Sequence, residues 1–151
     1  METVDFDALF REVRARREGM EQLPDVKLFD LWRATEEDLA GAETALGVSL
    51  PQKYKDFMLR YGGGQFLFLD LLPVVSPDGH AETLLEANRR EVSGREFVVV
   101  APVGTGDWWG FVSTGGACAD QVSFLDHEDG SIQPEAEDFL EFVARHGLMV
   151  E

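Results

Sequence analysis

The chain has 151 residues, 44% of them hydrophobic, which is long and apolar enough for one domain (residues 1–151) with a real core and argues against disorder. Its formal net charge of −16 argues against direct binding to nucleic acid or to an anionic membrane, since both need a basic face. Cys118 is the only cysteine, which excludes an intramolecular disulfide and a cysteine-based zinc site.

The charge is unevenly spread. Residues 1–18 hold four arginines and five acids, net −1, whereas residues 71–151 hold four arginines and fifteen acids, net −11. An excess of this kind favours a basic partner or serves solubility. No apolar run approaches the roughly 20 residues of a membrane helix, and the N-terminus lacks a signal-peptide core. The expected compartment is therefore the cytoplasm.

In chain order, the periodicity predicts a helix over 3–18, with Phe6, Leu9, Phe10 and Val13 on one stripe and Gly19 as its stop. Residues 20–34 are less regular, and Leu28, Leu31 and Trp32 suit a short turn or strand beside the core. The next thirty residues, Thr35 to Gly64, are the most informative. Thr35 and Asp38 form a capping-box pattern, Glu36, Glu37 and Asp38 complement the helix dipole, and Gly47 suits the stop. Pro51 fits the first turn of a second helix, whose Tyr54, Phe57, Met58 and Tyr61 recur at helical spacing. Gly62, Gly63 and Gly64 end it.

Phe66 to Leu72 reads as one buried strand ending at Pro73. Residues 78–92 read as a helix beginning near Asp78, with Ala81, Leu84, Leu85 and Asn88 on one side. Residues 97–103 carry the strongest strand signal. Gly104–Asp107 is a turn into a second strand from Trp108 to Val112, giving an antiparallel hairpin. Gly115 and Gly116 open a loop, Val122 to Leu125 is a strand, and Asp129-Gly130 turns the chain so that Ser131 to Gln133 can pair back. Pro134 opens a final helix to about His146, with Phe139, Leu140, Phe142 and Val143 inward. This order indicates an α+β fold with a mainly antiparallel (mixed) sheet and helices packed on one side.

Little of this looks like chemistry. His80, His127 and His146 are far apart, and a surface or helix-end role suits each better than a metal site. Residues 126–130 lack the alternating acids and the terminal glutamate of a calcium loop. No basic residue near Cys118 lowers its pKa, Ser113 and Ser123 lack a nucleophile elbow, and the three glycines are not followed by a phosphate-loop Lys-Ser/Thr. No cofactor, metal or catalytic residue is assigned. Trp108 and Trp109 must point to opposite faces of their strand. One is expected buried and the other partly exposed as an interface anchor, unless a loop and the helices cover both faces. Glu135, Glu137, Asp138 and Glu141 form a solvated face or an acidic patch.

Glu43, Leu46-Gly47, Leu50-Pro51, Tyr54, Phe57 and the turn at Gly62, Gly63 and Gly64 together resemble the SMI1/KNR4 (SUKH) family. Gly106-Asp107-Trp108 and the helix from Phe139 to Val143 are similar to later family elements, so the recognisable core spans about residues 34–146. Tyr61-Gly62 stands where many members have Asn-Gly, and the N-terminal helix lies outside the pattern. The resemblance implies an α+β fold. In bacteria it implies an immunity protein or antitoxin that neutralises a toxin, often a nuclease or deaminase; in fungi, a regulatory scaffold of cell-wall signalling. The Arg-, Ala- and Gly-rich usage suits a bacterium of high genomic GC content. The expected partner is a basic toxin domain. Asp107, Trp108, Asp126, Glu128 and Asp129 are the candidate contact residues, while Glu43 to Gly63 build the corner and core. The alternatives are a scaffold without a toxin partner, and an enzyme or small-molecule binder with a cleft near Asp107 and Trp108.

Overall fold

The computed structural model describes residues 1–18, 28–76, 79, 81–92 and 94–150. The expected helix stop at Gly19, the helix start near Asp78 and the role of His80 lie outside these residues. The described elements are helix α1 (Thr3–Arg16), strand β1 (Phe29–Trp32), helices α2 (Glu36–Leu46) and α3 (Gln52–Arg60), and strands β2 (Gly63–Phe66) and β3 (Leu69–Leu71). Helix α4 (Leu84–Glu91) follows, then strands β4 (Phe97–Pro102), β5 (Trp108–Thr114), β6 (Ala117–Cys118), β7 (Val122–Leu125) and β8 (Ile132–Ala136), and helix α5 (Phe139–His146). The fold is α+β, and the strands form two antiparallel sheets. The small one has the order β1-β2-β3; the large one has the order β4-β5-β7-β8, with β6 on an extension of β5. The one parallel pairing among the described residues is an isolated bridge between Ser49 and Ala117.

The α2–α3 corner forms as its residue types dictate. Thr35 Oγ1 accepts the Asp38 N–H at 3.1 Å, and Asp38 Oδ2 accepts the Thr35 N–H at 2.9 Å. Gly47 ends α2 in the left-handed region, at φ 70°. Pro51 stands one position before the first turn of α3, as its N-cap. Glu43 then does what local propensity does not reveal. Its Oε2 accepts the Leu50 N–H at 2.7 Å and the Lys55 ammonium at 3.4 Å, closing the corner from inside.

Three glycines follow because three backbone segments cross there. A Cβ on Gly62 would lie 2.3 Å from the Trp32 carbonyl oxygen, one on Gly63 would lie 2.5 Å from Pro73 Cα, and one on Gly64 would lie 2.2 Å from the Asp30 carbonyl oxygen. They are thus the floor of the small sheet as well as a helix stop, and β2 already begins at Gly63.

Two expected elements differ. Phe66 to Leu72 is not one strand. It is the β2–β3 hairpin, with Phe66 paired to Leu69 and Gly64 to Leu71. Leu67 turns at φ 52°, held by its N–H to the Leu28 carbonyl at 2.7 Å, and leaves Phe68 exposed. Pro134 does not open the final helix. It lies in β8, the outer strand of the large sheet, where a missing N–H is tolerated. Helix α5 starts only where Asp138 can cap it, its Oδ1 accepting the Glu141 N–H at 2.8 Å. Helix α4 likewise begins at a Thr83–Glu86 capping box.

The core is one continuous cluster. Phe6 of α1, Phe57 of α3 and Phe66 of β2 stack edge-on or tilted at 5.5–6.3 Å between centroids. Phe57 reaches Phe139 at 5.3 Å, and Tyr54 reaches both Phe111 at 5.6 Å and Phe139 at 5.0 Å, so α3 joins the two sheets and α5. Helix α5 is clamped on β8 by Arg145 Nη1 to the Glu135 carbonyl at 2.6 Å and His146 Nε2 to Glu135 Oε1 at 2.7 Å. Among the described residues no helix is long and apolar enough to cross a membrane.

Candidate functional site

Two features stand out, and they meet at Trp108. The first is a pair of turns at one end of the large sheet. The β4–β5 turn brings Asp107 against the β7–β8 turn. Asp107 Oδ1 accepts the His127 backbone N–H at 2.9 Å and lies 2.6 Å from His127 Nδ1, while Thr105 Oγ1 donates to Asp107 Oδ2 at 2.5 Å. The Thr105 hydroxyl, then the His127 N–H and ring, hold the Asp107 carboxyl down at about 2, and the same contact with Asp107 raises the His127 pKa. Within the second turn Asp126 Oδ1 accepts the Glu128 N–H and Asp129 Oδ1 accepts the Ser131 N–H, each at 2.8 Å. Gly106, at φ 96°, lets the His127 ring lie close, since a Cβ there would come within 3.2 Å of it.

Of the five candidate contact residues, the structure brings Asp107, Asp126, Glu128 and Asp129 to this end of the sheet. Glu128 and Asp129 are exposed and Asp107 and Asp126 half-buried. Trp108 is only 9% exposed and so offers little surface to a partner. Trp109 is the partly exposed one of the pair. Its ring packs on Phe142 at 5.2 Å and His146 at 4.9 Å, so α5 covers its face of β5. His127 carries no special sequence signal, and only the fold pairs it with Asp107. The ligand atoms of Asp107, Asp126 and His127 lie within 4.8 Å of one another. The hydrogen bonds just described already engage these groups, so the triad reads as a lock between two turns.

The second feature is a cleft of about 480 Å³ where the small sheet abuts the large one. Its described lining includes Trp32, Trp108, Leu71, Pro73 and Pro102, and Asp30, Asp70 and Glu82. The Leu72 N–H donates to the Val100 carbonyl at 2.9 Å and the Leu84 N–H to the Pro73 carbonyl at 2.8 Å, which fixes the junction of the two sheets beside the cleft. Three acids and no cation line it among the described residues, and that lining has no hydroxyl, thiol or imidazole beside them. Cys118 lies elsewhere, and burial, helped by the nearby Glu43 charge, pushes its thiol up to about 11, far from a reactive thiolate. Asp30 and Trp32 on β1, Asp70 on β3 and Glu82 before α4 were not legible as a group, because they come from three separate segments.

The family model described as SMI1-KNR4 cell-wall matches residues 36–143. The match runs from the capped start of α2 to the inward face of α5, and so includes the corner, the turn pair and the cleft walls of the large sheet. No curated protein matches the chain. The chain belongs to the SMI1-KNR4 family, which includes immunity proteins that bind toxins.

Proposed function

We propose that this SMI1-KNR4 protein is a non-enzymatic, cytoplasmic immunity protein that binds a cognate toxin, a nuclease or another nucleic-acid-targeting protein, and occludes its active site. The observation that carries the reading is the charge of the second half, net −11 over residues 71–151. A nuclease must attract phosphate, so its cleft is basic. An acidic protein of complementary shape can fill that cleft, and charge steering speeds the encounter. Asp107, Asp126, Glu128 and Asp129 sit on preformed turns at one end of a rigid sheet, so presenting them costs little ordering entropy.

Co-expression with the product of the adjacent open reading frame tests this. A toxic neighbour, rescue of growth and a stable complex support an immunity protein. The association rate should also fall steeply with added salt, and a salt-independent rate would defeat the electrostatic part. A harmless neighbour that does not bind, together with several weaker partners, would indicate a regulatory scaffold instead.

A further inference from the structure

We infer that a second pocket, where α2 and α4 meet the start of β4 and the end of β5, binds a carboxylate group. It has a volume of about 200 Å³ and shares no lining residue with the cleft between the sheets. Leu46, Leu85 and Phe97 line it together with Ser113, Arg89 and Arg95. No acid stands on its described lining, in a chain where 29 acids outnumber 13 lysines and arginines. Ser113 carries the inference. It is 7% exposed, and its N–H is satisfied by the Glu96 carbonyl at 3.0 Å. Its hydroxyl has no hydrogen-bond partner among the described residues, which is uncommon for a buried polar group. Among those residues the unpartnered side-chain atom wholly shut off from solvent is Tyr54 Oη. Ser113 Oγ is therefore not shut off, and the pocket it lines is where it opens.

The arginines supply the charge. Arg90 is engaged by Glu82 and Glu91, whereas Arg89 and Arg95 have no ion pair or side-chain hydrogen bond among the described residues. Arg89 stands in the last turn of α4, where its charge offsets the negative end of the helix dipole while its N–H groups stay available. Arg95 rests its guanidinium near Gly130, 3.5 Å from where a Cβ would stand, so it adds positive field rather than a contact. Asn88, on the same lining, is already spent on Val99 and Leu84. The groups left over are a hydroxyl and a guanidinium, and the ligand that takes a hydrogen bond from both is an oxyanion. An apolar occupant would leave the Ser113 hydroxyl orphaned. The negative end of α4 opens on the same pocket, which favours a single charge over a double one and so a carboxylate over a phosphate. About 200 Å³ suits a short acid and not a large cofactor.

The test titrates the full chain, labelled with nitrogen-15, with sodium acetate at constant ionic strength, and so does not depend on the toxin reading. The expected result is a saturable shift of the Ser113, Val98 and Arg89 amide signals. The Trp109 indole, packed on Phe142, should stay unmoved as the internal control. Acetamide, the neutral isostere, should bind about tenfold more weakly. Inorganic phosphate in mildly alkaline buffer, mainly a dianion, should also bind more weakly than acetate. Ser113→Ala loses no hydrogen bond within the chain, so it should fold as before and bind acetate about tenfold more weakly. Arg89→Gln, at an exposed position, should weaken acetate about two- to fivefold and keeps the test open if Ser113→Ala misfolds. N-acetyl-glutamate methylamide separates the sources of the carboxylate. Tighter binding than acetate supports an acidic side chain of a protein partner, and equal binding supports a free short acid. A flat titration, an equal response to acetamide, tighter binding of phosphate, or an unchanged affinity in either variant overturns the inference.

Discussion

Asn88 closes the outer edge of β4 by imitating a strand. Its Nδ2 donates to the Val99 carbonyl at 2.9 Å and its Oδ1 accepts the Val99 N–H at 2.8 Å, while Nδ2 also reaches the Leu84 carbonyl at 2.8 Å. The side chain is 4% exposed, so water cannot replace it. One amide on α4 therefore pairs both backbone groups of a strand at a sheet edge, beside the irregularity between Val99 and Ala101. Asn88→Ala should cost about 2–4 kcal/mol, because it orphans a buried donor and a buried acceptor together. Denaturant unfolding measures the loss, and hydrogen exchange should show the Val99 amide losing protection first. A change below about 0.5 kcal/mol would mean that the edge has another partner.

Glu43 should behave as a bracket for the α2–α3 corner. Glu43→Ala removes the acceptor of the Leu50 N–H and should cost about 1–3 kcal/mol. Glu43→Gln keeps an acceptor oxygen and gives up only the charge near Lys55, so it should cost less than half as much. Equal losses in a chemical denaturation series would assign the effect to charge rather than to the backbone bond.

Tyr54 presents the opposite case. The side chain is fully buried, and its hydroxyl has no hydrogen-bond partner among the described residues. Burial, with the Cys118 charge adding to it, pushes its pKa well above the ordinary tyrosine value, so the phenol is neutral at any physiological pH. Tyr54→Phe should be neutral or stabilising by up to about 1 kcal/mol, because it deletes an unpaid desolvation. Tyr54→Ala should cost about 3–5 kcal/mol by opening a cavity between Phe111 and Phe139. A clear destabilisation in Tyr54→Phe would reveal a partner for the hydroxyl.

The Asp107–His127 lock gives a pH signature. Asp107 is depressed to about 2, so its contribution is present above the ordinary carboxylate range and is lost as pH falls toward that value. His127 is raised, so its contribution is present below the unfolded histidine value, near 6.5, and is lost as pH rises through the folded one. The pair is therefore tightest in mildly acidic solution. An NMR titration should place His127 above an ordinary histidine, and Asp107→Asn should bring it back down. A His127 that titrates the same in both proteins would break the assignment.

The helix boundaries were legible wherever a cap is local. Thr35 with Asp38 and Gly47 mark the ends of α2 by interactions within a few residues. They misled where the deciding contact is distant. Pro134 looks like a helix opener, but its segment is drawn into pairing with β7, and the helix waits for Asp138. Phe66 to Leu72 looks like one strand by hydropathy. It folds into a hairpin because the Leu28 carbonyl takes the Leu67 N–H and β1 is there to receive β2.

The candidate site divides along the same line. The acids at 107 and 126–129 were readable as turns, since Asp and Gly carry turn chemistry in themselves. Their joining through His127 was not, nor was the burial of Trp108 while Trp109 met α5. By itself the sequence determined the capped helices, the corner built by Leu50 and Pro51, the aromatic stripe of α3 and the concentration of charge in the second half, because each depends on neighbours in the chain or on composition. Only the tertiary structure decided which segments became edges, what closed them, and that Trp32, Asp70, Glu82 and Trp108 share one cleft. Those contacts join residues far apart in sequence, and the packing that brings them together is a property of the whole core.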